Sequence, residues 1–401
     1  MMSNEYFFLN RESLFHKGQS NFAVYNIFNG DIISINQLIG SILVLTEDGK
    51  NINEIAQLLG MTVAEVCLPL NDLVKQELGN YYSSRIYIEK YKVGSPIEMN
   101  LTNLPIIKRC FVELPGECEL DCAFCGQPTL FQCSTCTRLK TNADVFSTKA
   151  FISRILQMNC EQLIIHGGDP LSNLDQLKSV VQYSREQGYK RKILLITNGS
   201  LIDYEIAKWF VKYQVHPIVP VFHSIKNKQA SYLKSIFDLT REMKIPLVVT
   251  NVIIEGENAE ESSIKDVLLQ IKPDSLMSSV IFAKDRIDRP PTMRRINADI
   301  YYNSNKHHPC LWGTLAISAS GDILPCPHLR KEVLGHIEDP NCIESIFERK
   351  IIDDYWNLPL SLLDNCRDCA FQFGCLDCRA VEMRFTGDLY GKSLCKFRKI
   401  N

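Results

Sequence analysis

The chain has 401 residues, 45% of them hydrophobic and 22% charged, which is typical of a folded protein with two or three domains. Its formal net charge of −2 creates no field that would attract nucleic acid or an anionic membrane. No signal-peptide pattern and no apolar run of bilayer length is present, so we expect a cytoplasmic protein. Its 16 cysteines, many closely spaced, then indicate metal sites rather than disulfides.

The first hundred residues predict a small unit of strands and helices. Two β-rich runs flank Asn29-Gly30, a dipeptide that favours a type I′ turn, so residues 21–36 predict a hairpin. Three helices should follow, over residues 37–47, over 51–59 and from Thr62 onward. The last two begin with capping boxes, Asn51 with Glu54 and Thr62 with Glu65. Pro69 should kink or restart the third helix, and residues 81–99 should form a connecting hairpin and linker.

We interpret residues 1–95 as a winged-helix-like domain. A DNA-binding helix-turn-helix fits residues 55–74, but Glu65 and Asp72 against Lys75 leave that helix poor in positive charge for phosphate. The unit resembles instead the PqqD-like precursor-recognition domain at the front of peptide-modifying enzymes. This resemblance implies that the leader of a ribosomal precursor peptide adds as a strand to the sheet edge. The alternative is that this winged-helix-like domain is only structural and binds no leader peptide.

From residue 106 onward, short apolar runs alternate with longer helical patterns. The strand candidates cover residues 108–114, 162–166, 192–197, 217–223, 246–254 and 275–282, with helical patterns such as 149–158, 202–213 and 264–271 between them. Six strand–helix units predict an α/β fold, a partial (β/α)6 TIM-like barrel over residues 104–296. Its chemistry should lie at the C-terminal ends of the strands.

The loop after the first strand places three thiols close together, at Cys118, Cys122 and Cys125. Thiolates favour iron–sulfur clusters and zinc, and three of them would leave one iron of a cubane without a protein ligand. A three-cysteine zinc site completed elsewhere in the chain is the alternative.

This loop resembles the cluster motif of the radical S-adenosylmethionine (SAM) superfamily. The resemblance implies a [4Fe-4S] cluster whose open iron binds the amino and carboxylate groups of SAM. One electron, from a donor such as flavodoxin or ferredoxin, would cleave SAM to a 5′-deoxyadenosyl radical. Phe124 fits the aromatic position that lies over the adenine in that family.

Further motifs of this resemblance follow the next strands. Gly167, Gly168 and Asp169 resemble the Gly-Gly-Glu-Pro motif that receives the SAM amino group, although Asp169 is one methylene shorter than the usual glutamate. Thr197 and Asn198 belong to a second pattern common in the family. His223 departs from the usual serine-rich ribose contact, and we assign it no catalytic role.

A second group of cysteines follows residue 297, where the strand–helix alternation stops. Strand-like runs around Ser320-Gly321-Asp322 predict a hairpin that returns Cys326 toward Cys310. The group also contains Cys366, Cys369, Cys375, Cys378 and Cys395. Two cubanes need up to eight thiolates, so these seven leave one position for another ligand. A four-cysteine zinc ribbon from Cys366 to Cys378 is the alternative.

Residues 297–401 resemble the SPASM domain, which carries two auxiliary [4Fe-4S] clusters in radical SAM maturases. The resemblance implies that Cys310, Cys326 and Cys378 hold the nearer cluster. It implies that Cys366, Cys369, Cys375 and Cys395 hold the farther one. Two residues separate Cys375 from Cys378, where three are usual in the family. With only three cysteines, the nearer cluster would keep an open site or take His307 or His308 as a ligand.

Six cysteines have no place in these patterns. Cys133 and Cys136, spaced Cys-x2-Cys, would bind zinc, cap a loop or pack. The isolated ones, expected to be buried apolar residues, are Cys67, Cys110, Cys160 and Cys342.

Together these features predict a radical SAM enzyme that abstracts hydrogen from a ribosomal precursor peptide and installs a thioether, C–C or ether crosslink or a related modification. No nucleic acid or membrane partner is expected. One alternative is a sulfatase-type formylglycine maturase, which would not need the front domain. The other is a zinc-containing DNA-binding regulator.

Overall fold

The structure is a computed structural model that describes residues 4–92, 106–120, 122, 125–130, 133, 144–222, 228–254, 268, 275–281 and 292–395. Within these residues no helix has both the length and the apolar character needed to cross a membrane.

The front of the chain folds as five strands and three helices. They are β1 (Tyr6–Leu9), β2 (Ser13–Lys17), β3 (Phe22–Asn26), β4 (Ile32–Ile35), α1 (Gln37–Glu47), α2 (Ile52–Leu59), α3 (Val63–Lys75) and β5 (Gly79–Tyr82). The predicted hairpin is confirmed, because β3 and β4 pair antiparallel. The predicted type I′ turn is not formed: only Gly30, with a φ of 86°, has the positive φ that this turn needs at both Asn29 and Gly30, and the backbone N–H of Asn26 donates to the carbonyl of Asp31 across a longer loop. Both predicted capping boxes are present.

Two local features of this unit differ from the prediction. Tyr81 and Tyr82 belong to β5, which pairs antiparallel with the distant β1, while residues 93–99 of the predicted hairpin and linker lie outside the described residues. The third helix does not restart at Pro69 but continues to Lys75. Its buried face, which includes Val66 and Leu70, packs into the core of the unit, and this packing outweighs the hydrogen bond that proline removes.

The centre of the chain forms the predicted parallel sheet. Its strands are β6 (Arg109–Leu114), β7 (Gln162–Gly167), β8 (Ile193–Ile196), β9 (Val215–Phe222), β10 (Val248–Ile254) and β11 (Ser275–Ile281), each parallel to the next. The helices between them are α4 (Val145–Gln157), α5 (Leu174–Glu186), α6 (Tyr204–Tyr213) and α7 (Lys228–Glu242). The predicted helix over 264–271 lies outside the described residues except for Leu268.

Side-chain alternation gives this sheet two apolar faces. Val112, Ile165 and Leu195 belong to the large core that includes the helices. Their neighbours Phe111 and Ile164 belong to a separate cluster on the opposite face of the sheet. The sheet is therefore buried on both sides, as expected for parallel strands.

The cysteine-rich end of the chain extends the same sheet. Its elements are α8 (Ala298–Asn303), β12 (Thr314–Ile317), β13 (Asp322–Leu324), β14 (Gly335–His336), α9 (Cys342–Glu348), α10 (Asp353–Trp356) and α11 (Arg379–Thr386). The predicted hairpin is confirmed as the antiparallel pair β12 and β13. In addition, β12 pairs parallel with β6, which gives a sheet of nine strands within the described part of the chain. The strand–helix alternation therefore stops after residue 297, but the sheet continues into the cysteine-rich end of the chain.

The front unit packs against the cysteine-rich segment. Tyr25 in β3 donates its hydroxyl to the carbonyl of Ala370 at 2.6 Å. Asn21 accepts from the backbone N–H of Ala370 at 2.7 Å and donates to the sulfur of Cys369 at 3.7 Å. Phe373 and Ile27 share an apolar cluster in the same contact. The front sheet is thus fixed to the loop that carries the predicted ligands of the farther cluster.

Candidate functional site

The predicted cluster loop and the ends of the next two strands lie together. Cys118, Cys122 and Cys125 follow β6, and the backbone N–H of Cys125 donates to the carbonyl of Cys122 at 3.1 Å. The side-chain amide of Asn198, just after β8, donates to the sulfur of Cys118 at 3.4 Å. Phe124 lies outside the described residues, as do Cys136 and His223.

Glycines allow this loop and the end of β7 to meet backbone to backbone. A Cβ atom at Gly167 would lie 1.9 Å from the carbonyl oxygen of Leu114, and one at Gly116 would lie 2.4 Å from that of Asp169. The backbone N–H of Asp169 donates to the carbonyl of Glu117 at 3.2 Å. Side chains at these two positions would therefore push the cysteine loop away from β7.

The carboxylate of Asp169 joins the ends of β7 and β8. It is 1% exposed and accepts from the hydroxyl of Thr197 at 2.8 and 3.0 Å. It also accepts from the backbone N–H groups of Leu171 at 3.0 Å and Asn198 at 3.3 Å. Burial, with the nearby Cys118, raises the pKa of Asp169 to about 6, although these hydrogen bonds favour its ionised form. The carboxylate of Asp169, one methylene shorter than the usual glutamate, is therefore already hydrogen-bonded by groups of its own chain.

Sequence reasoning missed a buried polar group beside this turn. His166, immediately before Gly167, is fully buried and neither ring nitrogen has a hydrogen-bond partner in the described chain. Burial and Arg330 lower its pKa to about 3, so the ring is neutral. Glu113 in β6 accepts both guanidinium contacts of Arg330, at 2.7 and 3.1 Å. The position of His166 at a strand end was the only signal available in the sequence.

The predicted ligands of the nearer cluster also come together, with one addition. Cys310 and Cys326 both lie close to Cys133, which the sequence left unassigned. Cys378 lies beside Cys310 and Cys133. Burial raises the pKa of Cys378 well above its usual value, so in the metal-free protein it is a neutral thiol.

The two histidines suggested for this cluster are held in other contacts. Nδ1 of His308 accepts from the backbone N–H groups of Cys310 and Leu311, both at 3.0 Å, and Nε2 lies 3.1 Å from Asp377. Both nitrogens of His308 are therefore occupied. His307 stacks on Trp312 at 4.4 Å between ring centroids, and its Nδ1 lies 2.8 Å from the side-chain oxygen of Asn357. Both nitrogens of His308 and Nδ1 of His307 are thus engaged by groups other than the cysteines' sulfur atoms.

The four predicted ligands of the farther cluster form a second group. Cys375 lies close to Cys369 and Cys395, and Cys366 lies close to Cys375. Burial raises the pKa of the Cys375 thiol to about 12, and Lys392 opposes this shift. Among the described residues no three His, Cys, Asp or Glu side chains converge on one ion-sized position. The thiolates of a cubane bind separate irons, so the soft donors gathered here fit such a cluster.

A buried network of charges connects the two cysteine groups. Asp377 accepts from Arg379 through two contacts of 2.6 Å and from Lys392 at 2.7 Å. Lys392 also lies 2.9 Å from Glu382. These partners hold the pKa of Asp377 well below its usual range, although burial alone would raise it. Through His308 the network also orients the segment that carries Cys310.

The structure thus brings together, at one edge of a parallel α/β sheet, the three-cysteine loop after β6 and the Gly-Gly-acid turn after β7, the two motifs that resemble the radical SAM superfamily. Residues 112–267 match the Radical SAM superfamily. The chain therefore contains a radical SAM domain.

Among curated proteins, the chain is similar to the radical SAM cyclopropyl synthase TigE of Paramaledivibacter caminithermalis. The two are 25% identical over 171 residues, which are 39% of this chain and 36% of TigE. The alignment thus spans about a third of that relative.

Among solved structures, anSMEcpe with bound AdoMet and Cp18Cys peptide has a TM-score of 0.51 at 16% identity, covering 73% of this chain and 93% of that one. This likeness is one of fold. Streptococcus suis SuiB bound to the precursor peptide SuiA has a TM-score of 0.48 at 14% identity, covering 97% and 98% of the two chains.

Proposed function

We propose that this protein is a radical SAM peptide maturase. The observation that supports it most is that the cysteine loop meets the ends of β7 and β8. Asn198 donates a hydrogen bond to the sulfur of Cys118, and Thr197 donates one to the carboxylate of Asp169. The similarity to TigE, which is named a radical SAM cyclopropyl synthase, favours the same class of chemistry.

Cys118, Cys122 and Cys125 would hold a [4Fe-4S] cluster that supplies reductive cleavage of SAM. The chain's own residues would bind and orient the cofactor. Gly167 and Gly168 let the backbone approach it, and Asp169 provides negative charge for its amino group. Thr197 and Asn198 belong to the same cofactor site. The two groups of cysteines beyond residue 297 would hold auxiliary clusters in a SPASM domain.

The front unit would bind the leader of the precursor peptide as a winged-helix-like, PqqD-like domain. Within the described residues no strand pairs with the outer edge of β4. Ser34 in this strand is exposed, and its partner across the ladder is Ala23 in β3. An extended peptide could add to β4 through main-chain hydrogen bonds, with side chains at alternate positions giving specificity. A reducing protein such as flavodoxin or ferredoxin would supply electrons.

The first test is SAM cleavage by anaerobically reconstituted protein with dithionite, measured as 5′-deoxyadenosine. Cys118→Ala, Cys122→Ala and Cys125→Ala should each abolish it, because each removes one of three cluster ligands. Cys67→Ala, which removes a buried thiol of the front unit, is the matched control and should keep activity. Undiminished 5′-deoxyadenosine from any of the three variants would refute the radical assignment. Colourless protein with stoichiometric zinc would support the zinc alternative instead.

A further inference from the structure

We propose that Cys133 is the fourth protein ligand of the nearer auxiliary cluster. This inference rests on the auxiliary clusters of the proposed function and names a ligand that no pattern in the sequence assigns. The Cys133 thiol lies close to those of Cys310, Cys326 and Cys378. It packs on the apolar cluster that includes Ala316 in β12 and Leu324 in β13, the hairpin that connects the segments of Cys310 and Cys326. Four soft donors from four separate segments therefore meet at one place.

The position of Cys133 is fixed by the fold. Three residues earlier, Leu130 forms an isolated antiparallel bridge with Val280 of β11, with N–O distances of 2.9 and 3.1 Å. Cys133 then packs against the apolar face of the sheet that includes Phe111 and Ile164. Cys133 therefore lies against the face of the sheet that β12 and β13 share with the parallel strands.

The positively charged guanidinium of Arg109 lies beside the four thiols and would be stabilised by a nearby negative charge. Nη2 of Arg109 hydrogen-bonds the carbonyl of Cys310, lies 2.9 Å from the hydroxyl of Thr314 and is 3.9 Å from the sulfur of Cys310. No carboxylate pairs with Arg109 among the ion pairs of the described residues. A partly buried cation is stabilised by an opposite charge nearby, and a cubane held by four thiolates supplies negative charge at that point.

The count of ligands is then complete without a histidine. The seven predicted cysteine ligands beyond residue 297 leave one of eight positions open. The eighth cysteine of that region, Cys342, lies in the large apolar core of the sheet and helices. Both nitrogens of His308 are occupied, whereas Cys133 lies close to all three predicted thiols. Ligation replaces the S–H proton of Cys133 by iron and releases that proton to water.

The test uses full-length protein in which Cys118, Cys122 and Cys125 are replaced by alanine, so that only auxiliary clusters form. After anaerobic reconstitution this parent should hold about eight irons per chain. In that background, Cys133→Ala should leave one iron without a protein ligand. Mild oxidation should then remove it, giving about one iron fewer and a [3Fe-4S] signal by electron paramagnetic resonance that the parent lacks.

Two further variants keep the result interpretable. Cys326→Ala should give the same kind of signal, because Cys326 is a predicted ligand of the same cluster. Cys67→Ala should match the parent, and circular dichroism should show that every variant is folded. The proposal is overturned if Cys133→Ala matches Cys67→Ala in iron content and spectrum, or if the parent binds zinc or no metal. Failure of SAM cleavage is a separate outcome, because it is measured with Cys118, Cys122 and Cys125 intact.

Discussion

The hydroxyl of Thr197 provides a direct measure of how firmly Asp169 joins the two strand ends. Thr197→Val keeps the shape and β-branching of the side chain but removes its donor to a buried carboxylate, a bond worth about 1.5–3 kcal/mol. It also leaves the buried N–H of Gly199, which donates to the same hydroxyl at 3.1 Å, without an acceptor. That loss adds about 1–3 kcal/mol. Since the two bonds share one hydroxyl, we expect a total of about 3 kcal/mol.

Thr250 is the matched control. It lies two strands away in β10, is fully buried, and its hydroxyl has no hydrogen-bond partner in the described chain. Thr250→Val should therefore change stability by less than about 0.5 kcal/mol or increase it. The assay is urea unfolding of reduced, metal-free protein at pH 7.5, followed by tryptophan fluorescence. Equal losses of stability in the two variants would refute the role given to the bond between Thr197 and Asp169.

Three further predictions concern Asp169 and Ser34. Since folding raises the pKa of Asp169 from 3.8 to about 6, the folded state binds its proton more tightly; this contribution to stability is present below pH 3.8 and is lost as pH rises through 6. It amounts to about 3 kcal/mol, and Asp169→Asn should flatten the measured stability over that window. Asp169→Ala should weaken SAM binding by roughly ten- to a hundred-fold in anaerobic calorimetry, and unchanged affinity would make the turn purely structural. Ser34→Pro should weaken precursor binding to full-length enzyme without changing SAM cleavage; unchanged binding would exclude this edge.

The sequence predicts what depends on neighbouring residues. The two capping boxes act within four residues and have the predicted geometry. The hairpin around Asn29-Gly30 also forms, although its turn is not type I′. The six strands of the parallel sheet were also predictable, because strands buried on both faces are continuously apolar. The candidate site could be located for a related reason: parallel strands bring their carboxyl ends to one edge.

The contacts that the sequence did not predict join distant segments. β12 is a four-residue strand, and nothing within it indicates that it pairs with β6 about two hundred residues earlier. Cys133 reaches Cys310 across a similar separation, so its Cys-x2-Cys spacing suggested a local partner instead. The bond from Asn198 to Cys118 likewise depends on how two loops pack. Local patterns carry no information about such pairs.

The attachment of the front unit has a consequence for when the protein can hold its substrate. Asn21 contacts both the sulfur of Cys369 and the backbone of Ala370, so the docked position of β3 depends on the conformation of that cysteine loop. Such dependence is reciprocal: anything that stabilises the loop tightens the docking by the same free energy. In the proposed enzyme, iron loading of the farther cluster would thus prepare the peptide-binding edge. Without iron in the farther cluster, the front unit would be docked less tightly. Precursor would then bind preferentially to enzyme whose farther cluster is already assembled.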